Sequence, residues 1–195
     1  MNFETKKKES IWDIIKFILL ALVIVIPIRL FVAQPFLVNG RSMDPTLKDR
    51  DYLIVDELSY HLREPHRGEV IIFRYPLDTK QHFVKRLIGV PGDTIKIING
   101  SVTIVTKEGE TIKLDDSYVT NHSYESLVDI VVPEGQLFVM GDNRAESYDS
   151  RSWRFLPINL ATGRAIFRLY PFNNISYLPG QYIFTPTPKD EIINN

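Results

Sequence analysis

Residues 17–28, FILLALVIVIPI, are 12 positions without a polar side chain, and no other stretch constrains the chain's folding as strongly. Widened to Ile14 through Ala33, the window is 20 residues long and is broken only by Lys16 and Arg29. At about 1.5 Å per residue, a helix of that length spans about 30 Å, the thickness of a hydrocarbon core. The two charges lie near its ends, where long stems carry them to the headgroups. A cleavable signal peptide shares the basic start and short apolar run, but it ends in a small-x-small sequence. The nearest candidate, Phe31-Val32-Ala33, begins with a bulky residue where a small one is needed. The spacing therefore predicts an uncleaved anchor over residues 11–33, preceded by a tail over residues 1–10. Lys6, Lys7, Lys8 and Lys16 before the span, against Arg41 and Lys48 beyond it, place the N-terminus in the cytoplasm and the rest of the chain outside.

Charge divides at the same place. The 195 residues carry 23 basic and 24 acidic side chains, a net −1. Residues 1–34 hold five of the basic and three of the acidic groups, so this end is +2 and the remainder −3. Without a basic excess, nucleic acid is not an expected partner. The absence of cysteine excludes a disulfide framework, a thiolate zinc site, an iron–sulfur cluster and a cysteine nucleophile. Any nucleophile must be an oxygen or an amine.

From Pro35 onward the pattern is β. Apolar, β-branched runs recur between turn signals at Tyr52 to Val55, Val70 to Tyr75, Phe83 to Val90, Thr94 to Ile98, Val102 to Val105, Thr111 to Leu114, Ile130 to Val132, Leu137 to Met140 and Ala165 to Tyr170. Short strands at this spacing predict a sandwich or barrel. Asn99-Gly100 is a type I′ hairpin signal and Glu108-Gly109 marks another turn. Pro157 to Ala161 is the best short helix candidate outside the anchor. The outer domain is expected over residues 34–185, with a frayed tail over residues 186–195.

The four histidines, His61, His66, His82 and His122, form no pair at metal-ligand spacing, and each reads as a surface residue. A serine base need not be histidine, because burial can lower a lysine pKa until the amine is neutral. Lys85 lies in HFVKRLIGVPGD, where period-2 alternation puts Phe83 and Leu87 on its own face and Val84, Arg86 and Ile88 on the other. The same pattern also suits a lysine snorkelling from an edge strand. Ser42 follows Gly40 and precedes Met43-Asp44-Pro45, a sharp turn that can expose a hydroxyl beside converging backbone N–H groups, or be an ordinary turn. After the apolar LFVM comes GDNRAESYDSR, where Asp142, Arg144, Asp149 and Arg151 can cross-link a loop or simply be solvated.

In this order, after an N-terminal anchor, SMDPTL, RGEVIIFRYP, FVKRLIGVPGD and GDNRAESYDSR resemble the boxes of the type I signal peptidases, membrane-bound serine proteases with a Ser/Lys dyad, over nearly the whole chain. The resemblance implies a mainly β fold: an antiparallel sheet or partial barrel with one N-terminal transmembrane helix. It implies Ser42 as nucleophile, Lys85 as general base and Ser147 as the hydroxyl that orients the lysine. Asp142 with Arg86, and Asp149 with Arg151, would be structural ion pairs, and the backbone N–H of Ser42 an oxyanion donor. Phe36, Val38, Met43, Leu47, Phe83 and Val84 would line pockets for small side chains. Some members add a serine hydroxyl to the oxyanion hole at the position held here by Gly40, and the family usually has glycine where this chain has Arg154. The implied setting is a bacterial cell membrane crossed once, with exported preproteins as partners, the bilayer and translocon nearby, no nucleic acid, and neither metal nor cofactor. An apolar surface near Phe31 to Leu37 would rest on the bilayer. Two other readings are a self-cleaving Ser/Lys repressor-type peptidase, which the apolar segment argues against, and a catalytically silent anchored β domain that only binds proteins, which intact Ser42, Lys85 and Ser147 argue against.

Overall fold

The structure, a computed structural model, describes residues 11–27 and 33–188. Helix α1, Ile11–Pro27, has Asp13 in its first turn, where the helix dipole favours an acid. Its described large apolar side chains are exposed on every side, from Ile15 at 39% to Ile11 at 75%. At 17 residues it measures about 26 Å, and among the described residues no helix is long and apolar enough to cross a membrane. The expected tail over residues 1–10, residues 28–32 of the expected anchor with Arg29, Phe31 and Val32, and residues 189–195 of the C-terminal tail lie outside the described residues. Ala33, expected as the last anchor residue, instead opens the first strand.

The strands are β1 Ala33–Leu37, β2 Tyr52–Asp56, β3 Val70–Tyr75, β4 Asp78–Gly89, β5 Thr94–Ile98, β6 Ser101–Val105, β7 Thr111–Lys113, β8 Leu127–Val131, β9 Gln136–Met140, β10 Leu156–Pro157, β11 Ala161–Tyr170 and β12 Ser176–Tyr177. One sheet runs β1-β2-β11-β3-β4-β9-β10, with β12 on β11, and a smaller one runs β7-β6-β5-β8. The pairings are antiparallel. Two four-residue helices, α2 Ser59–Leu62 and α3 Ser150–Trp153, join strands, and the expected helix near 157–161 is a single 3-10 turn, Ile158–Leu160.

The β5–β6 hairpin forms because alternation buries Ile95, Ile97, Val102 and Ile104 on one face. Asn99 (φ 48°) and Gly100 (φ 82°) supply the two left-handed residues of its turn. The run VIIFRY is buried on both faces because β3 sits between two apolar clusters. Val70 and Ile72 pack with Val38, Met43, Leu47, Leu53 and Val55, while Ile71 and Phe73 pack with Leu87, Leu137, Val139 and Leu156.

Strand β4 changes partners along its length. Arg86, Leu87 and Gly89 pair with β9, whereas among the described strands residues 78–85 have only β3 beside them. The sheet curls until its terminal strand β1 faces this free edge, and the rings of Phe36 and His82 are 5.4 Å apart. The cleft between β1 and β4 ends at Lys85.

Candidate active site

Ser42 lies in the turn that leaves β1. Gly40 holds φ +96°, where a Cβ would be strained although nothing crowds the position. Gly40 N–H donates to Asp49 Oδ1 (2.8 Å), and Asp44 N–H closes the turn on Arg41 O (3.1 Å). Ser42 is half-buried; the next residue, Met43, turns inward. Among the described residues, the Ser42 N–H donates to no protein acceptor, as an oxyanion donor requires.

Lys85, paired with Ile71 across β3–β4, is 4% exposed. Its Nζ is 2.7 Å from Ser42 Oγ, 3.1 Å from Val84 O and 5.3 Å from the centre of the Phe83 ring. Burial away from water lowers its pKa to about 8, against the pull of the Asp149 and Asp142 carboxylates and with help from the Arg151 guanidinium. A neutral amine at that distance accepts the Ser42 proton; an ammonium donates to Ser42.

The other face of β4 anchors the loop after β9. Arg86, 1% exposed, meets Asp142 through two bonds, Nε to Oδ1 (2.8 Å) and Nη2 to Oδ2 (2.6 Å). Its Nη1 donates to Gly68 O (3.1 Å) and to Gly180 O, and the guanidinium lies 4.3 Å from the centre of the Tyr118 ring. Thr46 Oγ1 donates to Asp142 Oδ2 (2.6 Å), tying the Ser42 turn to the same carboxylate. Asp149 accepts from Gly141 N–H (2.9 Å) and from Arg151 Nε and Nη2 (2.9 Å each). Arg151 Nη2 also donates to Arg144 O (2.6 Å) and Ser147 O (3.3 Å). Arg144, 3% exposed, donates to Gly141 O (3.2 Å) and pairs with Asp116 (3.3 Å).

Ser147 is brought beside Ser42 and Lys85 but makes no bond to Lys85: its Oγ is buried without a hydrogen-bond partner among the described residues. A Cβ at Gly141 would sit 2.2 Å from Ser147 Oγ and 2.4 Å from Ser42 O, so only glycine lets the two segments approach.

A cleft of about 340 Å³ opens at Ser42 and Lys85, lined by Phe36, Val38, Phe83 and Val84 among others. Met43 and Leu47, expected to line it, do not. They are 1% and 0% exposed, because the turn directs them into the cluster beneath the cleft with Leu53 and Val55. Leu53, Ile72, His82, Glu146 and Tyr148 line it and were not singled out by sequence. His82 is exposed as expected, but on the cleft rim. Asn143, buried beside Ser42, was also missed; its only sequence signal is a capping residue before Arg144–Glu146. Among the described residues, no three His, Asp or Glu side chains cluster as a metal site requires.

Residues 11–170 match the sequence profile of the family described as "Signal peptidase, peptidase S26". A protein named probable signal peptidase I-1, from Synechocystis sp., is 38% identical over 91% of this chain and 93% of its own length. Signal peptidase I of Leptolyngbya laminosa is 35% identical over 90% of this chain and 87% of that protein. Signal peptidase I of Bacillus licheniformis is 36% identical over 88% of this chain and 95% of that protein. With a profile match over most of its length and relatives above 30% identity along nearly all of it, the chain belongs to the signal peptidase family, peptidase S26, a family of serine endopeptidases.

Proposed function

We propose that this protein is a membrane-anchored endopeptidase that removes signal peptides from exported preproteins after small-x-small sequences, with Ser42 as nucleophile and Lys85 as general base. The observation that carries this reading is the 2.7 Å approach of a lysine amine, buried to 4% exposure, to a serine oxygen at the end of a cleft. Neutral Lys85 takes the Ser42 proton as Oγ bonds to the scissile carbonyl carbon and the carbonyl electrons move to oxygen. The Ser42 N–H donates to that oxygen. Collapse breaks the C–N bond, Lys85 returns its proton to the leaving amine, and a water deprotonated by the same lysine hydrolyses the ester. Ser147, whose buried hydroxyl has no hydrogen-bond partner among the described residues, is the group available to orient Lys85. Asp142 with Arg86 and Asp149 with Arg151 hold the surrounding loops.

The substrate adds as a strand along the free edge of residues 78–85, opposite β1. Phe36, Val38, Phe83 and Val84, which line the cleft, would form the pockets for the small side chains before the cut. A helix with apolar side chains exposed all round belongs in lipid, which supports α1 as part of an anchor. The basic N-terminal end lies in the cytoplasm, and the cleft faces the outer side of a bacterial cell membrane, near the translocon that delivers preproteins. The chemistry requires no metal or cofactor.

The test is preprotein cleavage by the protein in detergent, with N-terminal sequencing of the product. Ser42→Ala and Lys85→Ala should each lose activity by more than about 10³-fold while staying folded. Lys85→Arg should fail too, since guanidinium remains protonated. Wild-type cleavage by any of the three variants removes the dyad assignment.

A further inference from the structure

We infer that Asn143 is a positioning residue for the oxyanion hole, acting through the peptide unit between Arg41 and Ser42; this rests on the assignment of Ser42 as nucleophile. The C=O of Arg41 and the N–H of Ser42 belong to one planar amide and point in opposite directions. Whatever holds the carbonyl therefore aims the N–H. Asn143 Nδ2 donates to Arg41 O (3.0 Å), and the Asn143 backbone N–H donates to Ser42 O (3.1 Å), so one residue grips the carbonyls on both sides of the nucleophile. Arg41 O also receives Asp44 N–H (3.1 Å), which fills both of its acceptor positions.

The amide of Asn143 is itself fixed. Its Oδ1 accepts from Asn121 Nδ2 (2.8 Å) and Glu146 N–H (3.3 Å), and a backbone N–H can only be met by the oxygen. Nδ2 must then face Arg41 O, with Glu146 Oε2 at 3.3 Å as its second acceptor. The side chain is 3% exposed, so water does not compete for these bonds. A donor on the carbonyl also polarises the amide and strengthens its N–H as a donor.

Removing an oxyanion donor outright costs about 10²–10³ in kcat; loosening one while Asp44 still holds the carbonyl should cost about tenfold. The test uses the full-length protein in detergent and a fluorogenic signal-sequence peptide. Asn143→Ala should lower kcat about tenfold with KM within about twofold and the apparent pKa of the rate profile unchanged. Its affinity for a peptide aldehyde, whose carbonyl carbon bonds to Ser42 Oγ while the hydroxyl proton passes to Lys85, should fall in parallel. Affinity for an uncleavable peptide of the same sequence, with proline after the cut, should not change. Asn143→Asp keeps the shape and both Oδ1 contacts but loses the donor, so it decides the matter if the alanine variant folds poorly; it should lose kcat at least as strongly. Wild-type kcat in Asn143→Asp, or equal loss of aldehyde and uncleavable-peptide binding, overturns the inference. Ser42→Ala serves as the control: if it still cleaves, the nucleophile assignment has failed, whereas an inactive Ser42→Ala beside fully active Asn143 variants defeats only the inference about Asn143.

Discussion

Arg154 follows α3 at φ 78°, ψ −96°, a conformation that L side chains adopt only under strain. Arg154→Gly should relieve more strain than it adds chain entropy to the unfolded state, and raise stability by about 1 kcal/mol in urea unfolding. Lys85 stores energy differently. Its unfolded pKa is about 10.4, and burial lowers the folded value to about 8. Below pH 8 both states are protonated and the folded state bears the whole cost of a buried ammonium. Between those values the unfolded chain binds more protons, so stability rises with pH, and the cost disappears above about pH 10.5. Lys85→Met should therefore be more stable than the wild type at pH 7, by up to about 3 kcal/mol, with the gain vanishing by pH 10.5 in denaturant titrations. That lysine sits 43 residues from Ser42, and no spacing rule joins them; the order of boxes did, through resemblance. Alternation did place Phe83 and Leu87 on its face. Met43 and Leu47 were misplaced because a turn has no periodicity to say which side chain points inward.

At the scale of elements, β4 couples the chemistry to the core. One face presents Lys85 to the cleft, and the next residue carries Arg86 into a buried pair with Asp142. Because Arg86 also holds Gly68 O and Gly180 O, it ties the β9 loop, the turn before β3 and the segment after β12 together. Arg86→Met would leave Asp142 buried without its guanidinium and should cost about 3–5 kcal/mol, read as a fall in the urea midpoint. The strands most readable in the sequence were those with strict alternation and a glycine turn, such as β5 and β6. β1 was hidden because it follows directly on the apolar segment, and its Pro35 argues against a strand unless the strand is an edge. β10 and β12 are two residues each, too short for any pattern, and exist because neighbours offer them a ladder.

For the whole molecule, the division read from charge at residue 34 separates an apolar helix, none of whose described large side chains is buried, from a β body with its own cores. A variant lacking residues 1–32 should lose sedimentation with lipid vesicles yet cleave a short soluble peptide within about tenfold of the full chain, since Ser42, Lys85 and the loops around them lie in the body. Free sheet edges usually invite aggregation, and here the open stretch of β4 is where the extended substrate is expected to bind. These features depend on one chemical claim, that Lys85 is a neutral amine in the working protein. The measurement that reaches it most directly is the pH dependence of kcat/KM for signal-peptide cleavage. The rate should rise with a single apparent pKa near 8 and then level off. A rate still climbing toward the free-lysine value of about 10.4 would contradict the account.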